Sequence, residues 1–411
     1  MYHDILLADS GGAVFGLIVL MLIGLIIWAL VSESQRKHAR IAAWRAIAQE
    51  FGFKMNTNEF MHGPVDGFDV TADIYVVGSG KNRSTYTRVR VEGGMTKELA
   101  LGSEGFLSTL LGSDIRTGDT RFDEAVKVQG SEALAMALLD ADTREVVSQA
   151  VARRWEFGSG TWTYKISGSK GADVRDQIVI GLDLARLFRD GQAKVAQRLA
   201  ERVASDRSAP VRKRALELLL AQFAKAPETR EALRAATGDH SDPVVLLAAR
   251  ALSDVDLLGL LADRSTSEAE LRVDALEAMV SLDPRHAASQ RVVASWAELD
   301  WVQHRTLLLA AVRALATVPH PTAEAVLLRT LAIDDDDLKF ESIVALGRIG
   351  TIEAVPALAP HRDKLLAFRL KGAAKDAILA IQARATGADA GALALAQEGG
   401  NLALTQSGVD S

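Results

Sequence analysis

The sequence predicts a mainly α protein: a single transmembrane helix, a small α+β domain behind it, and a C-terminal α-solenoid. Three observations predict this. Residues 13–31, "AVFGLIVLMLIGLIIWALV", run for nineteen positions without one charged side chain. Residues 68–76 alternate apolar and polar side chains at the period of two that marks a half-buried strand. From residue 174 onward helical periodicity recurs in units of about 32 residues, and periods of this size mark stacked helical repeats.

Composition narrows the function classes. A chain of 411 residues is too long for one ordinary compact core. A net charge of -6 argues against general nucleic-acid binding, which needs broad Lys/Arg surfaces to neutralise phosphates. With no cysteine there are no disulfides, thiolate metal sites or cysteine nucleophiles. The eight histidines include no pair at HExxH spacing. No nucleic acid, cofactor or metal is therefore expected.

Residues 1–12 are expected to form a short extracytoplasmic N-terminus, carrying Asp4 and Asp9 but no Lys or Arg. Residues 13–31 then cross the bilayer: nineteen residues of helix rise roughly 28 Å, close to the hydrocarbon thickness. A cleaved signal peptide has a shorter apolar core behind a basic start, and "WALVSES" is a poor cleavage site. Arg36, Lys37, Arg40 and Arg45 follow the span, and cations near a span stay on the cytoplasmic side. The expected address is the inner (plasma) membrane, single-pass, with the N-terminus out and the C-terminal domains cytoplasmic. Trp28 fits an interfacial position, so Trp28, Arg36, Lys37 and Arg40 are the expected membrane-flanking residues. Residues 32–52 form a juxtamembrane amphipathic helix, with Ile41, Trp44, Ile47, Ala48 and Phe51 on one stripe.

Residues 53–168 form the small α+β domain. Its stretch "DIYVVGSGKNRSTYTRVRVE", residues 73–92, sets Gly78-Ser79-Gly80-Lys81 after an apolar run, where a phosphate loop would sit. A Walker loop needs Gly five positions before its second Gly, and Ser or Thr after the Lys; here those positions hold Tyr75 and Asn82. Alternation continues in residues 86–91, so residues 78–84 read as a hairpin connection, with Asp73 and Arg88 paired on the solvent face. Gly118-Asp119 reads as a turn into a strand, Ser131 and Asp142 as N-caps of helices over 132–139 and 143–155, and "TWTYKIS" as a closing strand. Asp119, Asp123 and Glu124 read as a solvated turn rather than a metal cluster.

Residues 169–385 form the repeat array. "VRDQIVIGLDLARLF" places Val174, Ile178, Leu182, Ala185 and Phe188 on one face of an entry helix. An apolar, small, apolar pattern then recurs from Val211, Val244, Leu271, Leu307, Leu338 and Leu370, at spacings of 33, 27, 36, 31 and 32 residues. Two helices of three to four turns and two connections fill such a unit, and neither helix buries its stripe alone. Ala215, Ala248, Ala275, Ala311 and Ser342 would let facing helices approach; Pro210 and Pro243 suit a first turn, with Asp242 as a cap.

On these residues the chain resembles the HEAT-like repeat family, in the short class also found in phycobilisome lyases. The elements are the "VR..AL..L" helices and the "D..VR" or "DP.V" turns before them, over residues 195–385 and clearest at 206–222, 241–252 and 338–358. The resemblance implies a curved helical scaffold for protein contacts, and lyase activity is not carried over. Span, α+β domain and array together look like uncharacterised bacterial membrane-anchored repeat proteins.

The run Asp334–Asp337 lacks the Gly and distal Glu of a calcium loop and is expected to cap the helix at Leu338. Trp301, His304 and Arg305 are the expected partner-binding residues, since Trp and Arg dominate interface hot spots; two core tryptophans, Trp296 and Trp301, flanking a loop are the plain alternative. Residues 386–411, with "GALALAQEG" and "GNLALTQSG" in tandem, are expected to be a disordered Gly/Ala-rich tail. The expected function is a non-catalytic membrane-anchored scaffold holding an unidentified cytoplasmic protein partner. The rival is an enzyme or small-ligand sensor with its site at residues 78–85 or 118–124.

Overall fold

The computed structural model describes residues 10–56, 59–78, 83–107, 113–168, 173–189, 194–362 and 368–386, with side chains from residue 17 onward except at 106 and 107. Ser79 to Asn82 and the tail from residue 387 lie outside the described residues. The chain is mainly helical and divides into two compact units, residues 1–229 and 230–411.

The first unit opens with α1 (Ser10–Phe51), one uninterrupted helix of 42 residues. The apolar stretch and the amphipathic stretch behind it are therefore a single element. α1 is long and apolar enough to cross a membrane, and no part of its apolar window is buried. Its far end packs: Trp44, Ile47 and Ala48 are buried in the core of the unit.

That core lies on an eight-stranded antiparallel sheet ordered β1-β2-β3-β4-β8-β7-β5-β6. β1 (Lys54–Met55), β2 (Phe60–Val65), β3 (Phe68–Val77) and β4 (Ser84–Glu92) form a meander, with Asp73 opposite Arg88. The Arg88 guanidinium donates to both Asp73 carboxylate oxygens at 2.9 and 2.6 Å. The pair lies on the same face as Asp69 and Thr71, as expected, but is part-buried, with Asp73 9% exposed. β5 (Leu99–Gly102) is followed by the short α2 (Glu104–Leu107).

Residues 120–125 form a helix, α3 (Thr120–Ala125), where the sequence suggested a turn straight into a strand. Asp119 nucleates it by accepting the Phe122 amide, and Asp123 reaches back to the Thr117 and Gly118 amides. β6 (Lys127–Gly130) and α4 (Glu132–Leu138) follow. α5 (Ala141–Ala152) is capped by Asp140, two residues before the expected Asp142, and ends sooner than expected. Arg154 at φ 73° stops it, and Trp155 and Phe157 then alternate inward on β7 (Trp155–Gly158). β8 (Thr161–Ser167) matches the expected closing strand.

α6 (Val174–Leu187) buries the stripe Val174, Ile178, Leu182 and Ala185, as its periodicity requires. The stripe covers the sheet, against β3, β4 and β8, instead of opening the array. Phe157, Trp162 and Phe188 pack ring on ring with centroids 5.0 to 5.3 Å apart. α7 (Val195–Ser205) and α8 (Ala209–Gln222) pair with each other and lie on α4. α9 (Pro227–Ala236) carries the boundary between the units.

The second unit is a succession of helix pairs. α10 (Asp242–Leu252), α11 (Val255–Asp263), α12 (Ala269–Leu282) and α13 (Ala287–Ala297) are followed by α14 (Trp301–Leu315) and α15 (Ala323–Leu331). α16 (Asp336–Ile349), a 3-10 turn, α17 (Val355–Arg362) and α18 (Phe368–Thr386) complete it. α10, α12, α14, α16 and α18 each pack on the next, and α11, α13, α15 and α17 each pair with the helix that follows. The recurring small positions sit where the helices meet: Ala248, Ala275, Ala311 and Ser342 are 0% exposed. Asp242 lies in the first turn of α10, while Ser241 holds the cap position.

Candidate interaction surface

Helix α14 begins on Asp300, whose carboxylate accepts the Gln303 amide, and is interrupted at His304, with φ −131° and ψ 37°. The interruption sets one turn, residues 301–303, ahead of the main helix. Trp301 in this turn is half-buried against the core, and Arg305 lies over its ring at 5.3 Å. His304 and Arg305 are exposed.

Arg305 also donates to Asp335 at 3.1 Å and to Asp337 at 2.9 Å, both at the start of α16. Those carboxylates raise the guanidinium's pKa through their hydrogen bonds, Asp335 first and then Asp337. Asp335 accepts the Leu338 amide and so caps α16. Burial opposes its ionisation, but that amide and Arg305 outweigh burial and lower its pKa. Asp337 continues the row by accepting from Arg369 at 3.2 Å, and Arg369 lies over the Phe340 ring at 3.8 Å.

Of the expected partner-binding residues, Trp301 and Arg305 are thus brought together and His304 marks the break beside them. Sequence reasoning read Asp335 and Asp337 as caps only, a role Asp335 does fill, and missed Phe340 and Arg369. The missing signal was register: Arg305, Asp337 and Arg369 are successive positions 32 residues apart, with charges alternating plus, minus, plus. Val302 and Phe368, 86% and 81% exposed, add uncovered apolar surface at the same helix starts. Trp296, by contrast, is core.

Somewhat shorter steps link other helices. Arg291 to Asp263, Arg313 to Glu341 and Arg329 to Glu298 pair across 28, 28 and 31 residues. Each such pair is worth little at an exposed surface. Together they hold consecutive helix pairs in register.

In the first unit, Trp28, Arg36 and Lys37 are exposed on α1. Arg40 is ion-paired with Glu59 at 2.8 Å and is mostly covered. The turn at residues 118–124 borders a cleft of about 440 Å³ lined by Asp119, Arg121, Arg144, Glu145, Arg207 and Ser208. Its most buried cation is spoken for: Arg144 donates two hydrogen bonds to Asp206, at 2.9 and 3.0 Å, and one to Asp119 at 2.9 Å. Burial would lower the Arg144 pKa, but Asp206 and then Asp119 outweigh it and raise it. Gly118, at φ 92°, lets this turn approach Pro210, which a Cβ would meet at 2.9 Å. The arrangement fastens α3, α5 and α8 together. Compared with known proteins, the chain matches no family model and no curated relative.

Proposed function

We propose that this chain is a membrane-anchored helical-repeat scaffold of HEAT-like type, non-catalytic, that holds a protein partner in the cytoplasm. Support for the scaffold comes from the row Arg305, Asp337 and Arg369, spaced at the repeat period and exposed along consecutive helix starts. Repeats that contact only their neighbours leave such continuous rows open to a partner, and aromatic and Arg anchors carry most interface energy. Trp301, Phe340, Val302 and Phe368 supply the apolar anchors beside the charged row. Support for the anchor comes from the bare apolar length of α1, whose side chains from Leu17 to Val31 have no protein cover. The cation excess at Arg36 and Lys37 directs the larger part of the chain to the cytoplasm.

A photo-crosslinking side chain at Val302 or Phe368 of the full chain is expected to give one discrete protein adduct in cells, lost on Arg305→Glu. Adducts that survive Arg305→Glu unchanged, or no adduct at either position, reject the surface. Because the chain has no native cysteine, Ser205→Cys reports topology directly. It is expected to resist a membrane-impermeant maleimide in intact cells; strong labelling reverses the orientation.

A further inference from the structure

The two strands of the β3–β4 hairpin project past the body of the first unit. β3 buries Phe68, Val70, Ala72 and Asp73 and half-covers Ile74 and Tyr75, but Val76 and Val77 are 39% and 52% exposed although they lie on opposite faces of the strand. Tyr75 stacks on Tyr86 with centroids 5.6 Å apart, and Arg88 lies over Tyr75 at 4.5 Å. Arg83, entering β4, is exposed. This end of the hairpin is apolar, aromatic and cationic at once.

Two contacts fix which way it points relative to α1. Low on the sheet, Gly63, which pairs with Val70, lies against Phe53 just after the end of α1. Higher up, the Glu59 carbonyl accepts the Ile74 amide at 3.2 Å while the Glu59 carboxylate holds Arg40. Moving from Val70 to Ile74 along β3 therefore runs back along α1 from its end to Arg40. β3 continues three residues further, to Val77, a rise of about 10 Å. The same distance along a helix is about seven residues, which carries the level of Val77 to about Glu33. The hairpin end thus reaches the level of Glu33, Arg36 and Lys37 along α1, just short of the apolar stretch that ends at Val31.

We propose that Val76, Val77 and Arg83 make a second membrane contact, with the two valines at the interface of an anionic leaflet and Arg83 against lipid phosphates. The proposal rests on the reading of α1 as a membrane anchor. Tyr suits the headgroup level, and cations beside a membrane surface are attracted by anionic lipid. Among the described residues at this end, Arg36, Lys37 and Arg83 face one carboxylate, Glu33, while Arg40 and Arg88 have their own carboxylates in Glu59 and Asp73. The charge balance selects an anionic surface. Anchored at the span and at the hairpin, the sheet domain is held against the leaflet instead of swinging freely about α1.

The test uses the full chain, reconstituted in vesicles of phosphatidylcholine with or without phosphatidylglycerol. Val77→Cys and, separately, Leu22→Cys carry an environment-sensitive fluorophore, and nitroxide lipids quench at headgroup or mid-chain depth. The expected result is mid-chain quenching at Leu22, and headgroup quenching at Val77 that falls about twofold or more on Arg83→Glu or without the anionic lipid. Quenching at Leu22 with none at Val77 overturns the hairpin contact and leaves the anchor standing. Quenching at neither position overturns both. Quenching at Val77 that ignores Arg83→Glu and lipid charge overturns the choice of an anionic surface.

Discussion

Two single side chains set the most direct expectations. Arg144 and Asp206 are 2% and 4% exposed and bond each other at both guanidinium nitrogens of one edge. Removing one partner leaves a buried charge uncompensated, so Arg144→Ala is expected to cost about 3–5 kcal/mol of unfolding free energy. Replacing the pair together, Arg144→Met with Asp206→Leu, recovers most of that loss; urea unfolding followed by tryptophan fluorescence reads both. Glu156 behaves oppositely. Burial raises its carboxyl pKa more than Lys165 lowers it. The native state therefore holds that proton more readily than the unfolded chain, and stability falls as pH rises from the ordinary carboxylate value through the raised one. Glu156→Gln is expected to raise the melting temperature at pH 7, an advantage that shrinks as pH drops below the ordinary value. A melting difference independent of pH contradicts this.

Among elements, α6 is packed closely on the sheet. A Cβ at Gly181 would stand 2.6 Å from the Trp155 ring and 2.8 Å from a Val91 methyl, neither of which is a flexible chain end. Gly181→Ala is expected to destabilise the first unit by about 1–3 kcal/mol despite the better helix propensity, measured as a lower denaturant midpoint. The α6 stripe was legible in the sequence because a 3.6-residue period is local; its target was not, since periodicity does not say whether an apolar face meets a sheet or a helix. The same limit explains the short helix at residues 120–125 and the strand at 155–158. In both, tertiary partners, Asp123 on the Thr117 and Gly118 amides and the inward rings of Trp155 and Phe157, decided between two local states. The β3–β4 hairpin and the helices built on Val211, Val244, Leu307, Leu338 and Leu370 were legible because pattern and burial agree: each of these five anchors is at most 4% exposed. On α14, the contact between Trp301 and Arg305 is suggested by residue type alone, while the link through Asp337 to Arg369 follows only once the register of 32 is applied.

At the scale of the whole molecule, the helices of the second unit pack mainly on helices one or two places away in the chain. Ending the chain at Gly350 would remove α17 and α18 and uncover the side of α16 that α18 buries. The shortened chain is expected to self-associate in size-exclusion chromatography in detergent, and to lose thermal stability in the second unit while the sheet domain keeps its own. The largest consequence comes from α1. Its 42 residues make a rod of roughly 63 Å with no proline and no irregular turn between the apolar stretch and Trp44. A rod without a joint works as a crankshaft: roll or slide of its apolar part is passed along the helix to the sheet packed on its far end.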